Sequence, residues 1–175
     1  CGFGGTLGNI DARFSRMRLS GINIDPRQIE RARSEVKPRA GNTIDFVVGD
    51  ACILPFEDQS FDVVLAVECI FHFPSRLRFL REARRVLKPG GTIMVSEYVA
   101  PARTYALLGL AGLPNLGTIK GFYGDDIPIP PSWYDVYARR AGLHAPEVLD
   151  VTKNVLPTFP VVLSLIPKFP IGEAA

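Results

Sequence analysis

Apolar positions change period along the chain. "TIDFVVGD" (43–50) alternates apolar and polar residues, the two-residue repeat of a half-buried strand. "FDVVLAVE" (61–68) is almost continuously apolar, which suits a strand covered on both faces. "SRLRFLREARRVLK" (75–88) repeats at helical spacing, with Leu77, Leu80, Ala83 and Leu87 on one stripe and arginines opposite. Ser75 stands where an N-cap belongs, and Pro89-Gly90-Gly91 stops the helix. The same reasoning predicts helices over 6–17, 26–36 and 131–143, the second opened by Asp25 as cap and Pro26 at its first turn. Further strands are predicted at 18–24, 92–99 and 145–152. Strands alternating with helices give an α/β chain with a doubly wound, mostly parallel sheet, Rossmann-like in layout. The rhythm breaks over 101–131, rich in Gly and Pro, which reads as a loose helix and a long loop of the lid or binding kind. One domain is expected over 1–175, with a core at 1–98 and a substrate or lid region at 99–175.

Composition narrows the class without naming a ligand. The 175 residues are 47% hydrophobic and 22% charged, enough for one packed core. The net charge of +2 comes from basic residues spread along the chain, so no nucleic-acid partner is implied. The series Arg76, Arg78, Arg81, Arg84, Arg85 and Lys88 reads as a solvated helix face. Cys1, Cys52 and Cys69 form no CxxC pair and have no zinc-type spacing to histidine, which points to a reduced, cytoplasmic, metal-free protein. "VLPTFPVVLSLIPKFP" (155–170) is apolar, but its four prolines exclude a regular membrane span.

Three polar interruptions fall where this architecture binds ligands, at the carboxyl ends of parallel strands. The opening "CGFGG" offers Gly2 and Gly4, which let backbone approach a nucleotide at a helix N-terminus. Asn23 closes the strand at 18–24, where an acid commonly holds ribose hydroxyls; its carboxamide can do the same, or can cap the turn that follows. Asp50, in "GDA", can accept the exocyclic amine of adenine while the next N–H serves a ring nitrogen, or can cap its own turn.

"CGFGG", "GINIDPRQIERAR", "GDACILPFEDQSFDVVLAVECIFHF" and "REARRVLKPGGTIMVSE" occur in that order. As a set they closely resemble class I S-adenosylmethionine-dependent methyltransferases, in the small-molecule branch that serves quinones, tocopherols, sterols and natural products. The resemblance is strong over residues 1 to about 98 and loose beyond. It implies S-adenosylmethionine as cofactor. Gly2 and Gly4 would pass beneath its methionine part, Asn23 would take the ribose and Ile24 the adenine face. Asp50 and Ala51 would form the adenine-binding pair, and the backbone of Val67 and Glu68 would meet the amino group. "LKPGG" is a structural turn in this family. The family's first motif glycine and the strand before it would fall upstream of residue 1. The chain is therefore expected to be a fragment that starts inside its own cofactor loop, with a slot between the strands at 18–24 and 61–68.

His72 follows "ECIF", where the family often carries a histidine that deprotonates the acceptor in some O-methyltransferases. It is the candidate catalytic base, with packing as the other reading; imidazole suits this task because its ordinary pKa is near ~6.5. His144 reads as a surface residue and Cys69 as packing rather than a nucleophile. Phe122, Tyr123, Trp133 and Tyr134 suggest a bulky, partly apolar small-molecule acceptor. O-methylation is expected, with N- or C-methylation as alternatives. A nicotinamide dehydrogenase and a non-catalytic binding fragment are the rivals of other classes. "LPFEDQSFD" followed by "LKPGG" speaks against the dehydrogenase. The residues set no oligomeric state.

Overall fold

The computed structural model describes residues 1–99, 130–158 and 160. The elements run α1 (Gly5–Arg13), β1 (Arg18–Asn23), α2 (Pro26–Glu35), β2 (Thr43–Val48), β3 (Phe61–Val67), a 3-10 turn (Ile70–His72), α3 (Arg76–Val86), β4 (Leu87–Ser96), α4 (Pro131–Arg140) and α5 (Thr152–Val155). The chain forms two compact units, residues 1–145 and 146–175. The second contributes α5, whose start is held by Asp150 Oδ1 accepting from the Thr152 N–H at 2.9 Å.

Every described ladder is parallel. β1 pairs with β2 from Arg18↔Thr43 to Asn23↔Val48. β3 pairs with β4 as far as Val67↔Ser96. Among the described residues no ladder joins β1 to β3, so two half-sheets stand where one sheet with a slot was expected. Each half-sheet has its own buried cluster. Ile29 and Ala32 of α2 close on Phe46 of β2, with Cys1, Leu7, Val36 and Ile44 around them. Phe79, Leu80 and Ala83 of α3 close on Ala66 of β3, together with Cys52, Ile70 and Ala141. α4 joins that second cluster through Tyr137.

Helix limits follow their caps. Asp25 accepts from the Arg27 N–H at 2.9 Å ahead of Pro26, and Ser75 Oγ accepts from the Arg78 N–H at 3.2 Å. α1 ends at Arg13, short of the expected residue 17. There Phe14 turns extended, and the Asn42 carboxamide takes over the freed groups, donating to Phe14 O and accepting from the Met17 N–H.

Four expectations change. β4 starts at Leu87, so "LKPGG" lies inside the ladder as an irregularity: the register jumps from Phe61↔Leu87 to Val63↔Thr92. Gly90 is left-handed there, and a Cβ on Gly91 would stand 3.0 Å from Asp62 O. Among the described residues, β3 is covered on one face only. Val64 and Ala66 meet the α3 cluster, whereas Val63, Leu65 and Val67 are exposed beside Met94. The strand expected at 145–152 does not form. Without a ladder partner Leu149 stays 82% exposed, and the segment ends in α5. The arginine series is not a uniformly solvated face, because Arg76 is buried against Glu97 at 3.1 Å and Arg85 is half-buried. The long loop expected over 101–131, with Phe122 and Tyr123, falls almost wholly outside the described residues.

Candidate active site

The glycine loop leads directly into α1. Gly2 and Gly4 are left-handed, with φ of 54° and 83°. A side chain would be strained at either, which explains glycine at both. Nothing lies within 4 Å of a Cβ placed on Gly2, so bare backbone faces open space. Gly4 instead packs tightly, since its Cβ would meet Phe46 Cζ at 2.9 Å. The first α1 bond runs from the Gly8 N–H to Gly4 O at 2.9 Å, and the earlier amides of the helix point out of its N-terminus. The Cys1 N–H donates to Ile22 O at 2.8 Å, fixing the loop beside the carboxyl end of β1.

The other predicted residues gather around that end. The Gly49 N–H donates to Asn23 O at 3.0 Å, which ties the end of β2 to the end of β1. Asn23 Oδ1 accepts from the Asp25 N–H at 3.1 Å, and its Nδ2 donates to Gln28 Oε1 at 2.8 Å. Ile24 is 74% exposed, an apolar side chain offered to the site rather than to the core. Asp50 Oδ1 accepts from the Cys52 N–H at 2.8 Å and its backbone oxygen from Ile53 at 3.0 Å, so the carboxylate sits on a closed turn with Ala51 inside it.

Across the gap, Val67 and Glu68 close β3. Glu68 is left-handed, with φ 48°, and its N–H donates to Ser96 O at 2.7 Å. A non-glycine residue held this way stores roughly 1–3 kcal/mol of backbone strain, a feature that clusters at functional sites. Cys69 follows, packed against the α3 cluster. Burial pushes its thiol above the ordinary range, which disfavours the thiolate a nucleophile needs. His72 ends the 3-10 turn, exposed, with its N–H on Cys69 O at 3.0 Å and its ring centroid 4.1 Å from that of Phe71. Trp133, Val136, Tyr137 and Arg140 line an open, mostly apolar hollow of about 330 Å³ on α4.

Gly2, Asn23 and Asp50 thus stand by the carboxyl ends of the parallel β1–β2 pair, and Glu68 follows the carboxyl end of β3. The family described as "Methyltransferase domain" matches residues 1–95. The chain belongs to this methyltransferase domain family. Curated relatives agree. Methyltransferase GfsG of Streptomyces halstedii is 32% identical over 155 residues, 87% of this chain and 54% of that protein. The 27-O-demethylrifamycin SV methyltransferase of Amycolatopsis mediterranei is 31% identical over 152 residues, 85% of this chain and 53% of that protein. The methyltransferase domain therefore spans about half the length of these relatives. A solved structure of a candidate methyltransferase from Bacillus halodurans superposes with a TM-score of 0.65 at 25% identity, covering 79% of this chain and 58% of that one. The fold of this methyltransferase domain is Rossmann-like.

Some supporting residues carry no signal in the sequence. Gly21, inside β1, has Phe46, Cys1 and Leu7 within 3.1 Å of where a Cβ would sit, so it admits the glycine loop and α1 onto the strand. Asp11 and Asn42 form a buried pair that sets where α1 stops. Glu82 and Arg85 reach the turn after Asp50 from 28 to 31 residues away. Their partners are distant in the chain, and periodicity reports only near neighbours.

Proposed function

We propose that the protein transfers a methyl group from S-adenosylmethionine to an oxygen of a small, partly apolar molecule. The observation that carries this reading is the open, left-handed Gly2 at the mouth of α1, beside the ends of β1 and β2. A side-chain-free backbone and a helix N-terminus fit the polar amino-acid end of such a cofactor. Gly2 and Gly4 would hold that end, Asn23 and Ile24 the nucleoside, Asp50 and Ala51 the adenine, and the backbone of Val67 and Glu68 the amino group. The cofactor supplies a methyl group already activated on a sulfonium, so the chain's task is positioning.

His72 stands just beyond the β3 end on an exposed turn. In this reading its imidazole takes the proton of an acceptor hydroxyl as the oxygen bonds to the methyl carbon. The relative named for 27-O-demethylrifamycin SV supports oxygen as the acceptor atom. The apolar hollow on α4, with Trp133 and Tyr137, supports an acceptor with apolar bulk. Among the described residues no helix is long and apolar enough to cross a membrane. The three free thiols support a reducing, cytoplasmic setting.

The test is calorimetry of the full-length protein with S-adenosylmethionine, then methyl-labelled turnover against a panel of hydroxylated acceptors. Asp50→Ala should weaken cofactor binding tenfold or more, because losing a charge-assisted hydrogen bond costs about 1.5–3 kcal/mol. Unchanged affinity would remove Asp50 from the site, and no cofactor binding by the parent would overturn the proposal.

A further inference from the structure

Residues 50–60 connect β2 to β3 without regular structure, yet their path is fixed from outside. Glu82 Oε2 accepts from the Leu54 N–H at 2.8 Å. Arg85 Nη2 donates to Leu54 O at 2.8 Å, and Nη1 donates to Phe56 O at 2.8 Å and to Asp58 Oδ1 at 2.7 Å. The two side chains also hold each other: Arg85 Nε meets Glu82 Oε1 at 2.9 Å and Nη2 meets Oε2 at 2.8 Å. One ion pair on α3 thereby grips both backbone groups of Leu54 and continues along the loop.

Leu54 lies four residues after Asp50, and the segment between them is the closed turn on which Asp50 Oδ1 takes the Cys52 N–H. Cys52 and Leu54 are buried, which anchors the loop in the core but leaves its rotation about that anchor unset. A planar guanidinium with parallel donors sets rotation as well as position, and an ammonium cannot.

We propose that Glu82 and Arg85 are positioning residues that aim the Asp50 carboxylate at the exocyclic amine of adenine, and so set the enzyme's preference for an adenosyl over an inosyl cofactor. This rests on the reading of Asp50 as the adenine acceptor. The two bases differ along one edge, where inosine presents a carbonyl instead of the amine and an N1–H instead of the N1 acceptor. A correctly aimed carboxylate repels that oxygen, and a misaimed one discriminates little. Loss of the pair leaves Cys52 and Leu54 buried, so the fold survives and the effect falls on recognition.

The test titrates S-adenosylhomocysteine and S-inosylhomocysteine into the full-length protein, wild type and with Asp50→Ala, Arg85→Lys or Glu82→Gln. Thermal melts monitor folding. The wild type should favour the adenosyl ligand at least tenfold, and Asp50→Ala should lose most of that preference, keeping only the part set by the Ala51 N–H against N1. Arg85→Lys and Glu82→Gln should each cut it threefold or more while melting cooperatively. If Arg85→Lys fails to fold, Glu82→Gln, which keeps volume and an acceptor, decides alone. Substitutions that weaken both ligands equally, leaving the preference intact, mean the pair only stabilises the loop; the proposal then fails while Asp50 stands. A wild type with no preference overturns both.

Discussion

Gly4 and Phe46 touch so closely that no side chain fits between them: a Cβ on Gly4 would stand 2.9 Å from the Phe46 ring. Gly4 is also left-handed and caps α1. Gly4→Ala therefore meets both strain and a clash, worth about 1–3 kcal/mol for the backbone conformation alone. We expect a lower urea midpoint and loss of most cofactor affinity. A variant that binds as tightly as the wild type would show that the loop can rearrange freely.

Asn23 offers a sharper test of the ribose position. Its oxygen accepts from the Asp25 N–H, a bond that aspartate would keep, and Gln28 can turn its amide to donate in return. Asn23→Asp adds charge to any bond from ribose hydroxyls, and such bonds are stronger by roughly twofold. Cofactor affinity should rise severalfold by calorimetry. No change assigns Asn23 to the turn alone.

His72→Ala should depress turnover by about 10²–10⁴-fold with cofactor affinity almost unmoved, the usual contribution of a general base. The measurement is the pH–rate profile of parent and variant on one identified hydroxyl acceptor. Matching profiles, with turnover within a few-fold, would leave proximity as the whole of catalysis.

Acid should weaken the pair that stops α1. Asp11 accepts from the Arg39 N–H at 2.9 Å and from Asn42 Nδ2 at 2.9 Å. These bonds hold its carboxyl below the ordinary value, the backbone bond contributing most. Its stabilising effect is thus complete above the unfolded aspartate range of about pH 4 and fades as pH falls through the lower folded value. The gap in urea midpoint between wild type and Asp11→Asn should be constant near neutrality and should close in acid. A gap that widens in acid would contradict the assignment.

Local chemistry made much of this molecule legible. Asp25-Pro26 and Ser75 announce α2 and α3 because a cap and its helix lie within four residues of each other. The parallel class and the strand-end position of Gly2, Asn23, Asp50 and Glu68 follow from strand and helix alternation. Long-range partners stayed hidden. Arg76 looks like one more surface arginine until Glu97 arrives from the end of β4. "LKPGG" has the residues of a turn, but the neighbouring Asp62 backbone lets it run on as an irregular ladder. "APEVLDVT" has a strand's composition but pairs with no strand among the described residues.

The two buried clusters belong to different ladders, and the candidate site residues are divided between them. Gly4 and Asn23 hang from the Phe46 side, and Glu68 and His72 from the Phe79 side. A molecule gripping both banks is a keystone as well as a reactant. At a concentration 100 times its dissociation constant it adds about 2.7 kcal/mol to the assembled form. Saturation should then raise the melting temperature of the full-length protein, so that the enzyme is mechanically most complete only while it is loaded.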